Sequence, residues 1–193
     1  MSDEIQKNPD QPSSLSKASA PAGESVAESA AESVVEAPPA PHPWHQRLID
    51  EFSAEAVTDC IVNERNGGLV TITIAKSFLP AVAEFLKQNA DFQMDYCRNV
   101  SGSDLETHLE VAYYLHSLPL NKGICIKAKT DRDTAELPSL TPIWATGNWN
   151  EREIFDLLGV NFVGHPDMRR IMMPDDWVGY PLRKDYVPID PEV

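Results

Sequence analysis

The 193-residue sequence lacks the features of several large functional classes. It has no run of about 18 consecutive apolar residues, so it predicts no transmembrane helix. It has no basic stretch leading into an apolar one, and its acidic start lacks the arginines of an organelle transit peptide. Basic residues are few, 16 against 30 acidic ones, and the net charge is −14. This balance disfavours general binding to nucleic acid or to anionic lipid, because both require clustered cations.

Motifs for cofactors are absent as well. There is no G-x-G-x-x-G and no G-x-x-x-x-G-K-[ST] motif, so nothing predicts nucleotide binding. Only three cysteines occur, Cys60, Cys97 and Cys125, and no C-x-x-C pair predicts a zinc ribbon or an iron–sulfur cluster. Each cysteine lies in a strand-like apolar stretch. We expect reduced residues in or beside the core, with a reactive thiol as the alternative.

The N-terminal residues 1–43 differ in composition from the rest of the chain. They contain 8 Ser, 8 Ala and 7 Pro, with 7 acidic and 2 basic residues and no aromatic residue. A segment this poor in apolar area cannot offset the entropy of ordering, so we predict a disordered acidic tail. Glutamates recur every four residues within it, which leaves a transient helix or a docking peptide open: Glu24, Glu28, Glu32 and Glu36.

All 15 aromatic residues lie at or after Trp44, so the folded part begins there. The patterns predict a helix over 44–52, a hairpin of strands 57–63 and 69–74 around Asn66-Gly67-Gly68, and a helix capped by Ser77. Strand-like runs follow near 92–100, 106–117 and 122–129. This order predicts an α+β domain over residues 44–147, with a mixed, largely antiparallel sheet and helices on one face.

Residues 148–193 form the part of the chain that is richest in functional signals. Asn150 and Glu153 resemble a capping box, and Gly159 occupies the position of a left-handed C-terminal cap, which predicts a helix over 151–158. Glu151 falls toward the apolar side of that helix, where a carboxylate needs a cation or a hydrogen-bond donor. The adjacent basic pairs Arg169-Arg170 and Arg183-Lys184 are the candidate partners.

The two basic pairs are separated by IMMPDDWVGYPL, which has no periodicity and predicts an extended loop. Arginines beside large apolar residues are typical of protein–protein contact surfaces. A tail folded back onto its own domain explains the composition equally well. A chemical alternative is an acid–base or metal cluster of Glu151, Glu153, Asp156 and His165. Structural roles account for two of these residues without any chemistry: Glu153 as a helix cap and Asp156 as the ion-pair partner of Arg152.

Three motifs in order resemble the thirty-kilodalton or C subunit of complex I, and more closely the J subunit of the cyanobacterial and chloroplast NAD(P)H–plastoquinone oxidoreductase. The MPDDWVG stretch, which includes Trp177, resembles the photosynthetic branch. The first motif, E-R-E-x-x-D-[LM]-[LF]-G, matches at Glu151, Arg152, Glu153, Asp156, Leu157, Leu158 and Gly159. The second, H-P-x-x-[RK]-R-I, matches at His165, Pro166, Arg169, Arg170 and Ile171. The third, G-x-P-L-R-K-D-[YF], matches at Gly179, Pro181, Leu182, Arg183, Lys184, Asp185 and Tyr186.

The resemblance implies a non-catalytic subunit of the peripheral arm, with no catalytic, cofactor-binding or metal-binding residue of its own. FMN or ferredoxin, iron–sulfur clusters and plastoquinone would lie elsewhere in the complex. By analogy the motif residues from Glu151 to Tyr186, with Trp177, would contact the neighbouring large and cluster-bearing subunits, which are named H and K in that family, and also I. The expected location is the cytoplasmic side of a thylakoid membrane. A stand-alone soluble enzyme and an adaptor acting through its tail are the competing hypotheses.

Overall fold

The structure, a computed structural model, describes residues 42–187. The predicted disordered tail lies outside the described residues, apart from its last two positions. Within these residues the chain forms three helices, α1 Pro43–Glu51, α2 Leu79–Gln88 and α3 Gly147–Leu158. The same part of the chain forms seven strands, β1 Val57–Asn63, β2 Leu69–Ile74, β3 Tyr96–Asp104, β4 Leu109–Ser117, β5 Lys122–Thr130, β6 Glu136–Pro138 and β7 Asn161–Val163.

The five longer strands form one sheet in the order β1-β2-β5-β4-β3. Neighbours β2 and β5 are parallel, and the other three pairings are antiparallel. The mixed, largely antiparallel sheet is therefore confirmed. A second sheet, which the sequence did not predict, consists of the short parallel strands β6 and β7.

The predicted hairpin between β1 and β2 is confirmed. A 3-10 turn over Glu64–Asn66 leads into Gly67 and Gly68, whose φ angles are 63° and 75°. Left-handed backbone of this kind favours glycine, because a Cβ atom would be strained there. The turn sets the register of β1 against β2, and β2 in turn pairs with the central strand β5.

Alternation along the strands places one apolar face of the sheet against all three helices. On β4 the predicted residues Leu109, Val111, Tyr113 and Leu115 are all buried. They share one core with Leu48 of α1, with Leu79, Val82 and Leu86 of α2, and with Ile154 and Leu158 of α3. Helices on one face of the sheet are thus confirmed. The elements have this arrangement because period-2 strands and period-3.6 helices bury their apolar sides together.

The three cysteines lie where the sequence predicts. Cys97 and Cys125 are buried, Cys60 is half-buried, and all three are free thiols. Burial raises the pKa of the Cys97 and Cys125 thiols to about 11. A thiol with so high a pKa holds little nucleophilic thiolate near neutral pH, so the geometry does not favour the alternative of a reactive cysteine at these two positions.

Several predicted boundaries are wrong. Helix α2 is capped by Phe78, without a side-chain bond, rather than by Ser77. Strand β3 begins at Tyr96, later than predicted. Helix α3 begins at Gly147 rather than at residue 151, so neither Asn150 nor Glu153 caps it. Instead the Asn150 side-chain amide donates to Asn99 Oδ1 at 3.2 Å and lies 3.5 Å from Val100 O, and this contact with β3 takes the place of the capping role.

At Gly102, strand β3 and helix α3 leave little room for a side chain. A Cβ atom there would lie 2.5 Å from Leu158 Cδ1 and 3.0 Å from Ile154 Cγ2. We therefore expect Gly102→Ala to lower the free energy of unfolding by about 1–3 kcal/mol through overpacking, as measured by denaturant titration. Gly147→Ala, whose Cβ would be 3.9 Å from its nearest neighbours, is the control and should change stability by less than about 1 kcal/mol. Equal effects of the two substitutions would contradict the packing.

Candidate functional site: the C-terminal segment and its anchors

Glu151 lies in the interior, as its position on α3 predicts, but its partners are not the arginines. The carboxylate accepts hydrogen bonds from Ser139 Oγ at 2.6 Å and Thr141 Oγ1 at 3.0 Å. It also accepts from the Leu140 N–H at 2.8 Å and from Tyr113 Oη at 3.3 Å. The expected need for a partner is thus met by four neutral donors, which tie α3 to the loop after β6 and to the centre of the sheet.

Burial dominates the electrostatics of Glu151, whose exposure is 0%. Burial raises the pKa of its carboxyl, although Ser139, Leu140 and Thr141 partly offset this by donating hydrogen bonds. The ionised form is therefore disfavoured inside the protein relative to water. Since its bonds all go to donors inside the protein and it has no solvent contact, Glu151 acts as an internal anchor of the helix.

Asp156, further along α3, holds the C-terminal segment, which we define as residues 165–187. Its Oδ2 atom accepts from the backbone N–H groups of Ile171, Met172 and Met173 at 2.9, 2.6 and 2.9 Å. Its Oδ1 atom accepts from Arg170 Nη1 at 2.6 Å. The carboxylate is 0% exposed, so charge-assisted donors replace all of its water. This contradicts the predicted pairing of Asp156 with Arg152.

The charge on Asp156 is stabilised by this arrangement. Burial alone would raise the pKa of the carboxyl, but the N–H groups of Met173 and Met172, the Arg170 guanidinium and the Ile171 N–H outweigh it. The pKa of Asp156 is therefore held below its usual value, and the carboxylate stays ionised at neutral pH.

Arg170 connects the Asp156 carboxylate to the middle of the C-terminal segment. Besides its bond to the Asp156 side chain, it donates to Asp156 O at 3.0 Å, to Trp177 O at 3.2 Å and to Gly179 O at 3.3 Å. One guanidinium thus joins the end of α3 to two points of a stretch that has no regular secondary structure.

Arg152 is buried and does not pair with Asp156 of its own helix. Its Nε atom donates to Arg169 O at 3.2 Å, and its guanidinium lies 4.9 Å from the centre of the Trp149 ring and 3.9 Å from Asp167. Arg169 itself forms an exposed two-pronged bond with Asp167, at 2.6 and 2.7 Å. Of the two neighbouring arginines, Arg170 is therefore structural and Arg169 faces solvent.

His165 and Pro166 form the turn by which the chain leaves β7. The His165 ring pairs with Asn148 O at 3.2 Å through Nε2 and accepts the Asp167 N–H at 3.0 Å through Nδ1. Pro166 is exposed beside it. Both ring nitrogens of His165 are engaged, so the residue orients the turn.

Tyr180 packs where α3 ends. A Cβ atom on Gly159, whose φ is 77°, would lie 2.5 Å from the Tyr180 ring, so the left-handed cap predicted there also makes room for the tyrosine. Arg170 and Arg183 place their guanidiniums 5.5 and 4.9 Å from the centre of this ring. Arg183 Nε also donates to Leu158 O at 2.7 Å, satisfying a carbonyl at the end of the helix.

Arg132, which sequence reasoning missed, fixes the far end of the segment. It pairs with Asp104 at 3.1 Å and with Asp185 at 2.6 Å, and it donates to Glu106 O at 2.8 Å. Lys184 adds a backbone bond to Asp104 at 3.0 Å and an ion pair with Glu106 at 3.0 Å. The end of β3 and its following turn thus hold residues 184–185.

Several of the predicted contact residues are accessible on this fixed segment. Trp177, Lys184 and Asp185 are exposed, Leu182 is 60% exposed, and Pro181 is half-buried. The Tyr186 ring, in contrast, packs within 3.0–3.2 Å of where a Cβ on Gly179 would lie. The sequence left two alternatives for the loop, a contact surface or a tail folded back onto its own domain. Arg170 and Arg183, on either side of the loop, fold back onto the domain, while a set of apolar side chains still faces solvent.

The Glu/Asp/His cluster of the chemical alternative does not assemble. Glu151 and Asp156 are occupied by separate sets of donors, Glu153 is exposed, and His165 bonds to backbone. Within residues 42–187 no group of three or more His, Cys, Asp or Glu side chains is placed to hold a metal ion. The arrangement orders a surface, and it does not converge on a point where a substrate atom could react.

A family model described as "Respiratory-chain NADH dehydrogenase, 30 Kd subunit" matches residues 72–192. The chain belongs to this family. The C subunit of the NADH-quinone oxidoreductase of Chloroherpeton thalassium is 38% identical to it over 151 residues, which cover 77% of this chain and 62% of that protein. The chain thus spans somewhat less than two thirds of the length of that relative.

Two solved structures share the fold of this family member. A trypsin-resistant fragment of Nqo5 has a TM-score of 0.53 at 24% identity, over 63% of this chain and 97% of that one. A chain in the structure of the membrane-bound sulfane sulfur reductase, an archaeal respiratory membrane complex, has a TM-score of 0.60 at 21% identity, over 75% of this chain and 84% of that one. At these identities the likeness shows the α+β fold alone.

The Asp156 anchor yields a stability prediction. Asp156→Asn loses the charge and one of the two acceptor oxygens, leaving buried donors unpaired. We expect a loss of about 3–5 kcal/mol, as for a broken buried ion pair, measured by denaturant unfolding of the full chain. Asp175→Asn changes an exposed aspartate of the same segment and should cost less than about 0.5 kcal/mol. A loss at Asp156 no larger than that at Asp175 would disprove the anchor.

The lowered pKa values of Asp156 and Asp104 predict an acid-sensitive fold. A carboxyl whose pKa is depressed in the folded state stabilises the protein above its unfolded pKa of about 4, and this stabilisation is lost as pH falls through the folded pKa. Unfolding free energy measured from about pH 6 down to about pH 2 should therefore decline in this window. Asp156→Asn should show a shallower decline than the wild type, and parallel curves would refute the assignment.

Proposed function

We propose that the chain is a non-catalytic peripheral subunit of a membrane-bound, NADH dehydrogenase-type quinone oxidoreductase, and that its C-terminal segment attaches it to neighbouring subunits. Family membership supports the type of complex. The chain's own geometry supports the attachment role, because its acidic and basic side chains order a surface rather than a reaction centre. No helix within the described residues is long and apolar enough to cross a membrane.

One observation carries the attachment role: residues 165–187 have almost no regular secondary structure, yet they are held at defined points and expose large apolar side chains. Met172 and Val178 are 63% and 78% exposed, and Leu182 and Trp177 also face solvent. Exposed apolar groups close together on an anchored segment are typical of a binding surface for protein. Holding the segment in place beforehand lowers the entropy that binding must overcome.

The family resemblance supports the choice of partners. On this proposal the C-terminal segment contacts the large subunit of the quinone-reducing module, named H, with the cluster-bearing K and I subunits nearby. The electron carriers, FMN or ferredoxin, iron–sulfur clusters and the quinone, would reside in those and other subunits. This chain would serve the assembly and stability of the quinone-reducing module while the complex couples electron transfer to proton translocation.

The identity of the quinone and of the membrane is the finer part of the proposal. The resemblance of residues 173–179 to the photosynthetic branch supports plastoquinone, a thylakoid location and either NAD(P)H or ferredoxin as donor. The Chloroherpeton relative is named only for NADH and quinone. Separation of thylakoid membranes from other membranes, followed by immunodetection of the chain, distinguishes a thylakoid location from a location in another membrane. Recovery outside thylakoids would leave the broader proposal standing and reject the finer one.

Native fractionation of membranes from the source cells tests the proposal. The full chain should migrate with a large complex containing other oxidoreductase subunits, and recovery only as a free monomer would reject it. A variant carrying Trp177→Ala and Val178→Ser should reduce the share of chain in the complex by about tenfold or more, since aromatic anchors dominate interfaces.

The matched control for this double variant is Ile61→Ala with Val62→Ser, which removes two exposed apolar side chains of the edge strand β1. It should assemble like the wild type. If the β1 control fails to assemble while the Trp177 variant succeeds, the C-terminal segment is not the attachment surface.

A further inference from the structure

The outward side of α3 carries a stripe of side chains that the C-terminal segment does not cover. Trp149, Glu153 and Leu157 recur every four residues, so they lie along one side of the helix. Ile154 and Leu158 each follow a residue of this row by one position, about 100° further round the helix, and enter the core. Trp149 is 66% exposed, Glu153 is exposed and Leu157 is half-buried.

Leu182 of the C-terminal segment continues this stripe. Its N–H donates to Leu157 O at 3.0 Å, which places it directly beside the helix, and its side chain is 60% exposed. Next to it lies an open cavity of about 260 Å³ between α3 and β3, lined by Val100, Ile154, Leu157, Leu158 and Leu182, with Glu153 among its polar residues. We define the α3 stripe as Trp149, Glu153, Leu157 and Leu182. Its last three residues line this cavity, whose walls are mainly aliphatic with polar groups from Asn99, Ser101 and Glu153, and which a side chain from another protein could enter.

Trp149 is held in place although it is largely exposed. The guanidinium of Arg152 lies 4.9 Å from the centre of its ring, and Arg152 is itself buried and bonded to Arg169 O. A cation on one side of the indole fixes the ring and leaves the rest of it free. Pre-ordered tryptophans lose little entropy on binding and are frequent hot spots of interfaces.

Glu153 gives the α3 stripe its only formal charge. It takes part in none of the ion pairs of the described residues. An unpaired carboxylate between apolar side chains is complementary to a cation flanked by apolar groups. It also disfavours an anionic lipid surface, which would be repelled.

We propose that the α3 stripe is a second docking surface, which binds a segment of a neighbouring protein subunit carrying a Lys or Arg between apolar side chains. One of these apolar side chains enters the cavity beside Leu182, and the cation pairs with Glu153. The proposal rests on the proposed function. It adds Trp149 as an anchor, and it extends the attachment surface from the C-terminal segment onto α3 through Leu182.

The test uses the full chain in cells that assemble the complex. Trp149→Ala and Glu153→Lys, each alone, should lower the share of chain recovered in the complex by about tenfold or more. Trp149→Phe, which keeps an aromatic ring over Arg152, should recover a large part of the loss. Near-UV circular dichroism of each purified variant confirms that the fold is intact, as expected for exposed positions.

The matched controls are Glu84→Lys on α2, also an exposed helical glutamate outside the ion pairs of the described residues, and Ile61→Ala on β1. Both should assemble like the wild type. Normal assembly of Trp149→Ala and Glu153→Lys, or equal losses in the controls, would overturn the docking surface.

Iodide quenching gives a readout that does not depend on a disruptive variant. The difference in fluorescence between the wild type and Trp149→Phe reports on Trp149, which should be quenched in the free chain and protected in the complex. Equal quenching in both states would overturn the proposal even if the complex forms. Failure of the wild type to enter any complex would instead reject the proposed function, so the two failures are distinguishable.

Discussion

The hydrogen bonds of the Asp156 carboxylate are the interaction on which the order of the C-terminal segment, residues 165–187, depends. The carboxylate gathers three consecutive backbone N–H groups and one guanidinium at a single buried point on α3. The N–H groups of a loop that pairs with no strand must find other hydrogen-bond acceptors. Here the Asp156 carboxylate accepts the bonds that a neighbouring strand would otherwise accept. The interaction persists because the donors outweigh the cost of burying the charge, as the lowered pKa of Asp156 shows.

Beyond Asp156, a few cationic side chains hold the rest of the C-terminal segment in place. Arg170 links Asp156 to Gly179 O, Tyr180 packs against the guanidinium of Arg183, and Arg132 holds Asp185 at the far end. Arginine suits this task because its planar group can bond several acceptors at once. The cations of this part of a strongly acidic chain thus serve mainly internal order, while several apolar side chains between them face solvent.

Local patterns predicted the parts of the fold that local physics determines. The Gly67-Gly68 turn, the alternation on β4 and the end of α3 at Gly159 are all present. Periodicity also placed Glu151 on the buried side, but it could not reveal that hydroxyls rather than arginines lie opposite. The start of α3 differs from the prediction, since the Asn150 side chain bonds to Val100 O of β3, 50 residues away, instead of capping the helix. Asp104 and Lys184 meet across 80 residues, a pairing that no local pattern encodes.

A stretch with almost no regular secondary structure is thus fixed by a buried carboxylate in the free chain. Amide hydrogen exchange of the full chain at neutral pH tests this most directly. The N–H groups of Ile171, Met172 and Met173 should exchange far more slowly than those of an unstructured peptide, and with similar protection to one another, since they bond to the same oxygen. Exchange of all three at the rate of an unstructured peptide would contradict the anchoring role of Asp156.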